Sequence, residues 1–152
     1  MRFQLLPQQT PRHFDVVYRN QDHALISVPT QASFGYSLSF NEVQLELSET
    51  GLANHLWGYC PRESWHVTDQ EPPEATLGEL RMVSDSPLVS GVAVRASPTR
   101  LPVYYNEEKH WICFGNPLVN DDFHIKLTSG LIVVANSSRI SALWVRVDRF
   151  EK

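Results

Sequence analysis

Between Ser33 and Phe40 apolar and small polar residues alternate without a fault: Phe34, Tyr36, Leu38 and Phe40 against Ser33, Gly35, Ser37 and Ser39. A period of two puts one set on a buried face and the other toward water, as a half-buried strand requires. After Asn41 the phase slips by one residue. Val43, Leu45 and Leu47 become the apolar set, and Glu42, Gln44 and Glu46 the wet one. Without a turn or a β-bulge near Phe40-Asn41 the buried face would invert, so one of the two is expected there.

The same period predicts strands over residues 1–6, 14–19, 23–28, 79–83, 88–95 and 123–127, and a hairpin of 101–105 with 109–114 around Asn106-Glu107-Glu108. Residues 131–135 are apolar on both faces, which marks a central strand, and 140–147 form the last one. One short helix is expected over 48–57, with Ser48 as N-cap and Gly58 as C-cap. From Gly58 to about Thr76 no period survives, and Pro61, Pro72 and Pro73 interrupt the chain. An irregular run of that length is expected to be a functional loop or a mobile linker. Many short strands with little helix predict an all-β, mainly antiparallel fold, either barrel or sandwich.

Two stretches resemble each other. Val17 to His23 matches Val103 to His110 with one inserted residue, and Phe34-Gly35 with Leu38 matches Phe114-Gly115 with Leu118. Further on, Val43 to Ser48 matches Phe123 to Thr128, and Gly51-Leu52 matches Gly130-Leu131. Either a β unit is duplicated, or antiparallel strands merely share alternation and turn residues.

The chain of 152 residues is long enough for one domain that buries a core unaided. Pseudo-repeated halves would be 1–70 and 77–152, joined by the loop around 58–76. A hydrophobic share of 42% with 20% charged residues excludes a disordered chain. The net charge of -4 argues against a dedicated nucleic-acid binder, which carries a basic face, and leaves a basic partner open. No apolar run approaches the roughly 18 residues that span a bilayer, and the start lacks a signal peptide's apolar stretch. Two cysteines, Cys60 and Cys113, are too few for a disulfide framework, so a cytoplasmic protein with reduced thiols is expected.

Chemistry-bearing residues crowd into 103–127. His110-x-x-Cys113 with His124 invites a zinc reading. In an unbroken strand, however, His110 and Cys113 face opposite ways, and Cys60 between His55 and His66 matches no finger spacing. No metal and no cofactor are expected. Asp122, His124 and Lys126 share one strand face, where a carboxylate could orient an imidazole as a general base; a solvated strand face is the plainer reading. Cys113 with a histidine is a second weak catalytic candidate, since nothing visible lowers its pKa. The chain has no nucleophile elbow, phosphate-cradling glycine loop or H-E-x-x-H helix. Rigid aromatics are the stronger signal: Trp57, Tyr59 and Trp65 around the loop, and Tyr105, Lys109 and Trp111 on the second hairpin, form a candidate binding set. The expectation is a binding or inhibitor module, of the immunity type, meeting a protein or small ligand. The alternative is a small hydrolase-like enzyme using His124 with Asp122, or Cys113 with a histidine.

Overall fold

The computed structural model describes residues 2–7, 13–29, 35–48, 52–83 and 93–152. Among the described residues there are fifteen strands. The first seven are β1 (Arg2–Pro7), β2 (Asp15–Arg19), β3 (Ala24–Val28), β4 (Gly35–Phe40), β5 (Val43–Ser48), β6 (Ala53–Tyr59) and β7 (Trp65–Val67). The remainder are β8 (Thr76–Val83), β9 (Ala93–Arg95), β10 (Val103–Asn106), β11 (Trp111–Gly115), β12 (Phe123–Thr128), β13 (Leu131–Ala135), β14 (Ile140–Arg146) and β15 (Arg149–Glu151). A 3-10 turn, Arg62–Ser64, precedes β7.

The strands form two open, mixed sheets. One has eight strands in the order β1-β8-β12-β13-β14-β11-β10-β7, and the other seven, in the order β15-β2-β3-β6-β5-β4-β9. Neither closes on itself among the described residues, so the barrel alternative is not what this chain builds. Their inner faces share one apolar core, to which Leu25, Leu38, Phe40, Leu45 and Leu56 come from one sheet and Leu80, Ile112, Ile125, Val133 and Leu143 from the other. The Phe40 and Phe114 rings, 6.4 Å apart, tie the two together. Two sheets layered on one core are a sandwich-like arrangement.

The expected helix and its cap need correction. The predicted helix over 48–57 is strand: β5 ends at Ser48, β6 begins at Ala53, and 49–51 lie outside the described residues. Gly58 is therefore no helix cap. It lies within β6 at φ 152°, where a Cβ would strike the Glu42 carbonyl and Val43 Cα, so glycine lets β5 approach. Most pairings are antiparallel, as expected, but the sheets are mixed, because β7, β8, β15 and β9 pair in parallel with β10, β12, β2 and β4. Alternation reports which face a residue takes, not the direction of its neighbour, so this was beyond the pattern. The phase slip at Phe40-Asn41 is a turn, with Asn41 at φ 56°. The expected strand over 88–95 survives as β9; its first part lies outside the described residues.

The two sheets share a connectivity. In each, a hairpin (β2-β3 or β10-β11) is joined through its second strand to the last strand of a three-strand meander, β4-β5-β6 or β12-β13-β14. In both hairpins the final turn residue, His23 or His110, takes a positive φ, 52° and 62°. Its carbonyl accepts a backbone N–H from just past the meander, Cys60 at 2.7 Å and Val147 at 2.8 Å. The sequence match of the hairpins agrees with this correspondence. The later match does not: it pairs β5 with β12, whereas strand order pairs β4 with β12 and β5 with β13.

Each sheet also lends its neighbour a strand. β7 follows β6 but adds beside β10, and β15 follows β14 but adds beside β2. Where these crossovers meet, Trp65, Tyr105, Phe150 and Tyr18 pack in tilted and edge-to-face pairs, with adjacent ring centroids 5.0–6.3 Å apart.

Candidate functional site

The shared connectivity makes Trp57 of β6 and Trp144 of β14 corresponding residues. Trp57 pairs with Ile26 of β3, and Trp144 with Cys113 of β11. Both point away from the shared core. Trp144 is nevertheless buried, at 1% exposure, while Trp57 is 42% exposed and Tyr59 beside it 52%.

Trp144 is covered by chain from outside its sheet. Cys113, Ile132, Val134, Ala142 and Trp144 form a second apolar cluster, closed by Ala75, Val119, Tyr104 and Trp111. Ala75 belongs to the proline segment, which here is a strap. It leaves β7 at one sheet edge and enters β8 near the other, six strand spacings away, about 29 Å. The nine residue steps from Val67 to Thr76 reach about 30 Å when fully extended, so the chain must run nearly straight. Pro72 and Pro73 favour that extended path. The strap is fastened by the Thr68 N–H to the Tyr105 carbonyl (2.9 Å) and by Asn106 Nδ2 to the Gln70 carbonyl (2.9 Å). Val119 comes from the loop after β11, which Asp121 anchors. That carboxylate accepts the Ser141 hydroxyl at 2.5 Å, Asn136 Nδ2 at 3.2 Å and an ion pair from Arg139 at 3.5 Å; the Ser141 bond, first among these, holds its pKa below the usual value.

On the outer face of the seven-stranded sheet the large rings of β6 stay exposed, although Val17 and His55 on the same face are buried. Along β6, Leu56, Gly58 and Cys60 turn inward and Trp57 and Tyr59 outward, with His55 on their side. Across the strands Trp57 stands beside Ile26 and Gln44, and Tyr59 beside Ala24. The indole N–H reaches Glu46 Oε1 at 3.4 Å, and the His23 ring meets Tyr59 edge-on. The face thus carries two adjacent half-exposed rings, an aliphatic floor and a carboxylate.

At its edge lies a pair that the pattern did not single out. Ser27 Oγ, fully buried, accepts the Leu56 N–H at 3.0 Å and lies 2.6 Å from His55 Nδ1. With the serine proton directed at Nδ1, a neutral imidazole satisfies both groups, and burial lowers the histidine's pKa. A serine beside a histidine is the arrangement of an activated nucleophile. A hydroxyl with no exposed surface cannot meet a substrate, so the pair holds β3 to β6. Ser27 sits at an ordinary strand position, and its partner is 28 residues away; no spacing signals it.

The other candidates disperse. Trp65 donates its indole N–H to Cys60 Sγ at 3.2 Å, and Tyr105 is buried with its hydroxyl 3.1 Å from His110 Nδ1; both belong to the four-ring cluster between the sheets. Trp111 packs edge-on against Trp144 on the covered face, with the Arg146 guanidinium 5.8 Å above it. Lys109 is exposed in the β10-β11 turn. Only Trp57 and Tyr59 of the six share one open surface.

Cys113 is fully buried and burial pushes its thiol up to about 12, while Cys60 rises to about 11; both are free thiols. His124 faces the Glu74 carbonyl at 3.2 Å and Asn120 Oδ1 at 3.0 Å, and no hydrogen bond or ion pair joins it to the exposed Asp122. Lys126 is half-buried on the same strand. His110, Cys113 and His124 do not converge: Cys113 lies in the second apolar cluster, His110 against Phe150, and His124 over the strap. His66 stacks on Tyr104, away from both Cys60 and His55. Among the described residues no three His, Cys, Asp or Glu side chains gather as a metal site needs. Among the described residues no helix is long and apolar enough to cross a membrane. Compared with known proteins, the chain matches no family model and no curated protein.

Proposed function

We propose that this chain is a binding module of the inhibitor or immunity type, which seats a protein partner on the open face of the seven-stranded sheet. The observation that carries this reading is the contrast at one place in the fold: Trp144 is covered by a strap and a loop, and Trp57 is not. Each exposed ring leaves roughly 100 Å² to water, so covering one contributes on the order of 2–3 kcal/mol. Rigid aromatics on strands lose little entropy when they anchor a partner. Glu46 at the indole and a chain charge of -4 favour a basic contact surface on that partner. Two buried, free thiols fit the reducing cytoplasm as its setting. The common strand order supports a duplicated β unit as the origin of the two sheets.

The test is quantitative affinity capture from lysate with four baits: the natural chain, Trp57→Ala, Tyr59→Ala and, as a control on the covered face, Trp111→Ala. A partner held by the natural chain and the control, and weakened at least tenfold by both face variants, supports the reading. Equal capture by all four baits, or no specific capture by any, removes it.

A further inference from the structure

The outer face that carries Trp57 also carries a polar cavity. Gln44 stands beside Trp57, Ser39 beside Gln44, and Arg95 of β9 beside Ser39, one cross-strand row that ends at the sheet edge. There a cavity of about 230 Å³ opens between the β4-β5 turn and the segment 95–101, lined among others by Ser39, Glu42, Arg95, Ser97, Thr99 and Arg100.

Its walls are held in place. Asn41, at the turn, donates from Nδ2 to the Leu101 carbonyl (2.9 Å) and accepts the Leu101 N–H on Oδ1 (2.8 Å). The Ala96 N–H binds the Ser39 carbonyl at 2.9 Å, and the Thr99 N–H binds Ser97 Oγ at 3.3 Å. The segment is clamped at both ends and braced in the middle, so the cavity exists before any ligand arrives.

Its charges do not cancel. Arg100 is taken by Glu42 at 2.6 Å, a pairing that lowers the carboxyl's pKa and raises the guanidinium's. Beyond the backbone pairing of β9 with β4, the Arg95 side chain makes no hydrogen bond or ion pair with any described residue. Two arginines and one carboxylate thus line the cavity, together with three hydroxyl-bearing residues. Guanidinium forks match the oxygens of a carboxylate or a phosphate. The donors outnumber a carboxylate's two oxygens and suit three. Beyond Arg100 and Leu101 the wall is shared with a second, more open cavity of about 360 Å³, bounded by Ser64, His66, Pro102 and Val103. It offers an apolar floor and an imidazole to whatever the anion is attached to.

We propose that this pair of cavities binds a small phosphate monoester, its phosphoryl group between Arg95 and Arg100 and its organic group over Leu101 to Val103. The site is separate from the protein contact proposed above, and Trp57→Ala leaves it intact.

Calorimetric titration of the full chain with phenyl phosphate, inorganic phosphate and phenol tests the assignment. Phenyl phosphate is expected to bind saturably and more tightly than inorganic phosphate, and phenol not at all. Arg95→Ala weakens phenyl phosphate at least tenfold, Arg95→Lys less, and Arg81→Ala, an exposed arginine of β8, not at all; circular dichroism verifies that each variant is folded. Absence of saturable binding, or an equal effect of the Arg95 and Arg81 substitutions, overturns the site. Equal affinity for phenyl and inorganic phosphate overturns the ester and the role of the second cavity.

Discussion

Trp57 and Trp144 occupy matching places in two sheets of one connectivity, and water reaches only one of them. The difference does not lie in the strands, since both residues point outward from strands of seven residues. It lies in what crosses above them. The strap of 68–75 and the loop after β11 turn the outer face of the eight-stranded sheet into a second apolar cluster, whereas the other sheet keeps its aromatics at the surface. A sheet can be buried on both faces when the chain supplies cover, and the uncovered ring pair is the contact surface proposed above.

Ways to break this comparison can be ranked by size. Trp144→Ala is expected to lower unfolding free energy by about 3–5 kcal/mol, as a large cavity in packed surroundings does. Trp57→Ala should cost about 1 kcal/mol or less. Equal shifts in urea midpoint for the two would show that the open face is as structural as the covered one. Next comes Ser27→Ala, which strips the buried Leu56 N–H and His55 Nδ1 of their partner and costs about 1–3 kcal/mol. If its midpoint is unchanged, the pair does not hold β3 to β6.

Smaller still is the strap. Replacing Pro72 and Pro73 together by glycine enlarges the unfolded ensemble and should cost about 1–2 kcal/mol, with faster acrylamide quenching of Trp144 fluorescence. Unchanged quenching would mean that the straight path of the strap does not depend on its prolines.

The smallest difference is in pH. Burial depresses the folded-state pKa of His55, so the unfolded chain takes up the proton first. Stability from that site is complete above the ordinary value of 6.5 and is lost as pH falls from there through the folded value. Asp121, lowered by its Ser141 hydrogen bond, contributes fully above 3.8 and is lost only below it. The open sheet should therefore weaken at a higher pH than the anchored loop of the covered one. Urea midpoints followed from pH 7.5 to 3 check this: His55→Asn should flatten the upper limb and Asp121→Asn the lower.

Much of this was legible along the chain. Alternation located β2, β3, β4, β5, β10, β11 and β12 to within a residue or two, and the unbroken apolar run of β13 marked a strand in the middle of its sheet. The failure at 48–57 has a clear cause. His55, Trp57 and Tyr59 face out and Leu56 in, but the extra residue between Ala53 and His55, opposite Glu46-Leu47, breaks the period and hides a strand. Among the candidate site residues, Trp57 and Tyr59 were legible as anchors because large rings near a loop are an exception wherever they occur. Trp65 and Tyr105 carried the same signal and are packing. Sequence reports that a ring is there; it does not report whether another strand will close over it.

By itself the sequence determined that this is a β protein with an apolar inside, and where several of its turns fall. Those properties are local: they follow from period, turn residues and composition within a few positions. Only the tertiary structure decided that strands are exchanged in parallel between two sheets, that the proline segment is a cover, that Ser27 meets His55, and that Arg95 and Arg100 share a cavity. Each of these depends on residues that are distant along the chain and brought together by hydrogen-bonded edges and a common core, a relation that no local period records.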